Sequence, residues 1–200
     1  MKHITISEVG PRDGLQNVET TLSTEAKLAW IEAEYGAGVR EIEVGSFVSP
    51  KLLPQMADTE AVVRGAQHLE GLIIAVLVPN VRGFESALRA GAHKISIPLS
   101  LSETHSLKNV RRTHAQMLDE IRSCLKLVEA MPESEKPVFE VGLSTAFGCT
   151  LEGVVPESFV VEMAERVLDL GVAEVGLSDT TGMGNPAQLE RLLTGIWQRC

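Results

Sequence analysis

The stretch ITISEVGPRDGLQN, residues 4–17, joins two kinds of chain. ITISEVG is short, apolar and alternating, which reads as a β-strand. Gly10 and Pro11 then break the pattern, Arg12 and Asp13 place opposite charges side by side, and Gly14 follows. A surface turn needs the glycines but not the charged pair. A structural ion pair at a turn is one explanation; a functional group held at a strand end is the other. Neighbours in sequence are expected to point apart, with Gly10, Pro11 and Gly14 fixing their directions.

Outward from this stretch, strand-like and helical patterns alternate. EIEVGSF (41–47), LIIAVLVP (72–79), KISIPLS (94–100), VFEVGLST (138–145) and EVGLSD (174–179) read as further buried strands. STEAKLAWIEAEYGAG reads as a helix capped by Ser23 or Thr24 and closed by Gly36 or Gly38. NVRGFESALRAGA and VPESFVVEMAERVLDLGV repeat the design, the latter stopping at Gly171. Thr104 to Met131 reads as mostly helix, and NPAQLERLLTGIWQ starts with Asn185 as cap and Pro186 at the first helical position. No linker or low-complexity stretch divides the chain, so residues 1–200 are expected to form a single domain. Successive βα units imply a parallel sheet with right-handed crossovers. An open doubly wound sheet and a (β/α)8 barrel both fit.

In either architecture ligands bind at the carboxyl ends of the strands. Those positions are polar here: Arg12, Asp13 and Gln16; Glu43 and Ser46; Asn80; Ser100, Ser102 and Glu103; Ser144, Thr145 and Cys149; Ser178, Asp179 and Thr180. Such convergence on one face is barrel-like. Glu43 lies within an apolar alternation, where a charge needs a partner, and Arg12 is the obvious one. That pairing serves structure or catalysis equally well. Asp179 could cap the following helix, and Cys149 could be a small loop residue. The five histidines, His3, His68, His93, His105 and His114, have no metal-ligand spacing. There is no P-loop or GxGxxG.

With 18 basic against 27 acidic side chains the net charge is -9, which excludes an electrostatic footprint for nucleic acid or anionic membrane. An anionic substrate must be met by local basic groups. Cys124, Cys149 and Cys200 are scattered without a CxxC, so a reduced, cytoplasmic protein is expected.

EVGPRDGLQN, VGSFVSPKLLPQMAD, FGCTLEG and GLSDTTGMGNP closely resemble the 3-hydroxy-3-methylglutaryl-CoA (HMG-CoA) lyases, metal-dependent TIM-barrel lyases, over about Ile4 to Asn185. The resemblance implies an α/β fold, a (β/α)8 barrel of which this chain supplies about six βα units. It implies cleavage of HMG-CoA to acetyl-CoA and acetoacetate with Mg2+ or Mn2+, the chemistry of leucine degradation and ketone-body formation. It casts Asp13 as metal ligand, Arg12, Glu43 and Asp179 as catalytic residues, and Gln16, Ser144 and Thr180 as substrate-binding residues. Cys149 matches a loop cysteine of less defined role. An acyl-CoA substrate and a homo-oligomer, a dimer, are the expected partners.

The family's His-x-His metal ligands, a further asparagine ligand and a cysteine-bearing glycine-rich loop follow its sixth unit. The expectation is therefore an incomplete lyase, weakly active or inactive alone. The alternatives are a lyase for a related branched 3-hydroxyglutaryl-CoA and an inactive fragment acting as an interaction module.

Overall fold

A computed structural model describes residues 4–199; His3 and Cys200 lie outside the described residues. Six parallel strands follow one another in chain order: β1 (Ser7–Glu8), β2 (Glu41–Ser46), β3 (Ile73–Leu77), β4 (Lys94–Ser100), β5 (Val138–Ser144) and β6 (Glu174–Leu177). A doubly wound sheet reverses its strand order at a switch point. This order never reverses, and the barrel-type expectation is the one met.

The helices are α1 (Thr24–Gly36), α2 (Thr59–Ala66), α3 (Val81–Ala90), α4 (Glu103–Asn109), α5 (His114–Glu129), α6 (Glu157–Leu168) and α7 (Pro186–Arg199). Ser23 caps α1 by accepting Ala26 N–H, Asn80 caps α3 through Gly83 N–H, and Thr113 forms a reciprocal capping box with Gln116 on α5. As expected, Asn185 accepts Gln188 N–H at the start of α7.

Three differences from the sequence reading have physical causes. β1 covers two residues of the predicted seven. It has a hydrogen-bonding neighbour on one side only, and Ile4 and Ile6 are 90% and 77% exposed. The helical span from Thr104 divides in two because Arg111 adopts φ 56°, a left-handed conformation that ends a helix. α2 escaped notice: eight residues with Gly65 inside give too short a period to stand out.

The backbone groups into two compact units that meet within β4 in sequence: Met1–Ser96 with Glu133–Pro137, and Ile97–Pro132 with Val138–Cys200. In the first, Ile42, Val44, Ile74 and Val76 of the strands are buried with Ile31, Val62, Val63, Phe84 and Ala87 of the helices. Lys27 of α1 is 2% exposed, and its ammonium donates to Gln55 O and to the Asp58 carboxylate, so this buried cation is paired. In the second, Phe139, Val141 and Leu143 are buried with Met117, Ile121, Val160, Met163 and Val167.

The strands alternate in character. Along β4 and β5 the buried positions are apolar apart from Ser100 at the end of β4, and the residues between them include Lys94, Ser96, Glu140 and Ser144. Lys94 pairs with Glu41 of β2 at 3.3 Å. Polar side chains thus occupy one strand face in a chain whose other face is oily.

Candidate active site

The first unit gathers Arg12, Asp13, Gln16 and Glu43. Residues Gly10–Gly14 form a π-turn in which Leu15 N–H reaches Gly10 O, five residues back. Pro11 presets φ at its start and is buried. The wide turn brings the side chains of Arg12 and Asp13 to one side, Nη1 to Oδ1 at 2.8 Å, where sequence neighbours were expected to point apart. Gln16, one turn later, donates to the same Oδ1 at 2.7 Å, and Asn17 donates to Asp13 O at 2.6 Å.

Glu43 is supplied by a bulge. The register of β2 against β3 slips between Glu43 and Gly45, which re-aims the strand end. Gly45 is required there: a Cβ would lie 2.5 Å from Thr59 Oγ1. The Glu43 side chain, 8% exposed, accepts Arg12 Nε at 2.6 Å and Nη2 at 2.5 Å on Oε2, and Ser96 Oγ sits 3.4 Å from Oε1. The predicted Arg12–Glu43 pair is present, and it is a fork that only a guanidinium makes.

Asp13 is the expected metal ligand. Its side chain is 53% exposed, and among the described residues both hydrogen bonds to its carboxylate fall on Oδ1, which leaves Oδ2 for a hard cation. Among the described residues no cluster of three or more His, Cys, Asp or Glu could hold a metal ion. A cation at Asp13 would thus find one carboxylate oxygen in this unit, and the neighbouring Gln16 turns its amide nitrogen toward Oδ1.

The second unit gathers Ser144, Thr180, Asp179 and Cys149. Asp179 Oδ1 accepts Met183 N–H at 2.9 Å and Oδ2 accepts Gly184 N–H at 3.0 Å. The carboxylate thus shapes the turn leading into α7. Thr181 braces that turn by donating to Gly148 O at 2.9 Å. Cys149 is buried, and Leu151 N–H points at its Sγ from 3.4 Å. Burial pushes the Cys149 thiol up, but the Ser102 hydroxyl and the Leu151 and Glu152 amides outweigh it, and the thiol sits below its ordinary range. Glu152, in the same loop, accepts Thr104 N–H at 2.7 Å and so caps α4 from outside.

Thr145 stands among the polar strand-end residues of the sequence, but sequence reasoning gave it no role. It is fully buried, β-branched, and held at φ 59°. Such a conformation costs on the order of 1–3 kcal/mol and persists only where surroundings over-determine it. Here they do. Thr145 N–H donates to Thr180 Oγ1 at 2.8 Å, its hydroxyl donates to Ser144 O at 2.6 Å, and Ser102 N–H donates to Oγ1 at 3.1 Å. Ser100 Oγ lies 3.2 Å from Oγ1 and 2.9 Å from His105 Nδ1. Three strand ends are tied through one residue, by its amide and its hydroxyl. A threonine at a strand end was visible in STAFGC; its backbone angle was not.

The HMGL-like family model matches residues 3–200. The chain belongs to the HMGL-like family. It is 39% identical over 198 residues to the hydroxymethylglutaryl-CoA lyase of Bacillus subtilis, covering 99% of this chain and 65% of that protein. The crystal structure of the B. subtilis HMG-CoA lyase superposes with a TM-score of 0.91 at 37% identity, over 100% of this chain and 66% of that one. An HMG-CoA lyase from Acinetobacter baumannii, solved in complex with coenzyme A and 3-methylmalate, gives a TM-score of 0.90 at 36% identity, over 97% and 62% of the two chains. This member of the family thus spans less than two-thirds of the length of the curated relatives it matches, between 57% and 65%. The resemblance carried by GPRDGLQN and SFVSPK is borne out at the level of family and fold.

Proposed function

We propose that this chain serves HMG-CoA lyase chemistry: cleavage of 3-hydroxy-3-methylglutaryl-CoA to acetyl-CoA and acetoacetate. The observation that carries the reading is the Arg12 fork on buried Glu43, with Asp13 touching its remaining arm, in a family member.

In this retro-Claisen reaction the tertiary hydroxyl gives up its proton to solvent, its oxygen becomes the acetoacetate carbonyl, and the bonding pair passes to the acetyl thioester as an enolate, which takes up a proton at carbon to give acetyl-CoA. Negative charge grows on the thioester oxygen only as the bond breaks. A guanidinium held rigid by Glu43 stabilises that charge without reorganising. Asp13 would hold the cation, Mg2+ or Mn2+, through oxygen, with Gln16 beside it binding substrate. When bound, it supplies Lewis-acid polarisation of the substrate oxygens. Ser144 and Thr180 are proposed to hydrogen-bond substrate, and Asp179 to act as the second unit's catalytic carboxylate while its amide contacts fix its position. The cytoplasm and a role in leucine-derived carbon metabolism complete the proposal.

The test is acetoacetate release from HMG-CoA by the purified 200-residue chain with Mn2+, alongside Mn2+ affinity. Weak, metal-dependent turnover is expected. Arg12→Lys keeps the charge but loses the fork, and should lower turnover by about a hundredfold or more; Asp13→Ala should weaken Mn2+ binding. Wild-type rates in Arg12→Lys, or Mn2+ affinity indifferent to Asp13→Ala, would sink the assignment.

A further inference from the structure

The hydroxyls around Thr145 can be given their protons by counting. Thr145 Oγ1 has one proton, and its 2.6 Å contact with Ser144 O requires it, because a carbonyl oxygen only accepts. Oγ1 then has two lone pairs. Ser102 N–H takes one at 3.1 Å, and Ser100 Oγ faces the other at 3.2 Å, so Ser100 is the donor in that pair. Its only proton is thereby used. Ser100 Oγ can therefore only accept from His105 Nδ1, 2.9 Å away, and His105 must carry its proton on Nδ1. The opposite tautomer would set two lone pairs against each other between Ser100 and Thr145, where both residues are buried.

We propose that Thr145 is a positioning residue that acts through Ser100 to lock neutral His105 as its Nδ1–H tautomer, making Nε2 a hydrogen-bond acceptor for a bound ligand. His105 is half-buried in the first turn of α4, directly after the carboxyl end of β4, and Nε2 has no partner among the described residues. Its ligand is an N–H or O–H donor on the acyl-CoA. That identity rests on the lyase reading above; the tautomer lock does not. In the left-handed conformation at Thr145 its amide and hydroxyl make all four of these contacts at once.

The experiment is 15N-detected imidazole NMR on the full chain at a pH where imidazoles are neutral, with His105→Phe used to assign the signal. The wild type should show Nδ1 protonated. In Thr145→Val the Ser100 proton is released to turn toward His105, so the signal should move toward the Nε2–H pattern; Thr145→Ser should retain the wild-type pattern. Ser100→Ala removes the acceptor and should also abolish the lock, which keeps the test available if Thr145→Val does not fold. A wild-type Nε2–H signal, or an Nδ1–H signal unmoved by both Thr145→Val and Ser100→Ala, overturns the lock. Calorimetric titration with coenzyme A tests the ligand: His105→Phe should weaken binding about five- to tenfold, as one lost hydrogen bond implies. Unchanged affinity overturns the ligand identity. Failure of the wild type to bind coenzyme A overturns the acyl-CoA reading, while the NMR result stands on its own.

Discussion

Arg12 commits its guanidinium in two directions at once: Nε and Nη2 to Glu43, Nη1 to Asp13. The Glu43 partner is nearly dry, so the pair cannot be broken from one side without stranding a charge. Arg12→Met should therefore destabilise the fold by about 3–5 kcal/mol, while Arg12→Met combined with Glu43→Leu should recover most of that loss. Urea midpoints of the two single variants and the double variant check this. A double variant no more stable than Arg12→Met would show that the pair is not coupled. The pairing itself was legible, because a glutamate inside EIEVGSF needs a cation and GPRDG supplies one. The Arg12–Asp13 contact was not, since nothing in five residues announces a π-turn. Nor was the strain at Thr145, which depends on groups from three separate strand ends.

Whole elements were easier to read than their junctions. β2 and β4 fall within a residue of their apolar runs because burial on a parallel strand writes itself into composition. Caps next to their helix, Ser23 and Asn185, are legible, but capping by a residue distant in sequence leaves no such trace, and Glu152 is the example. The contact that the Glu152 carboxylate receives from Thr104 holds it below the ordinary glutamate range, ahead of an opposing effect of burial. A carboxylate whose folded pKa is depressed contributes stability above its unfolded pKa, about 4.3, and loses it as pH falls through the folded value. The stability gap between wild type and Glu152→Gln should be present at pH 7 and close as the pH drops below about 4. Glu152 is exposed, so screening keeps the gap under about 1 kcal/mol. Urea midpoints of both proteins across that pH range measure it; a gap that persists at pH 3 would assign the effect to packing rather than charge.

At the scale of the molecule, exposed apolar surface is the feature that demands a consequence. α7 presents Leu189 at 41% and Trp197 at 70% exposure, on a shallow groove that Pro186 and Leu193 also line. β6 is an end strand of four residues, and none of them is fully buried. End strands with accessible backbone and apolar flanks pair with other chains unless charge or cover prevents it. Glu174 is the one charge on β6, at its beginning. The chain is therefore expected to self-associate, in line with the dimer anticipated from the sequence, and the α7 groove is the proposed contact. Light scattering over a range of protein concentrations should give a mass above the 21.6 kDa of one chain, rising with concentration. Trp197→Glu should shift the distribution toward the monomer without lowering helical content, because the indole is mostly in solvent. A wild type that stays monomeric at every concentration would show that this surface tolerates water, and the expected dimer would be lost with it.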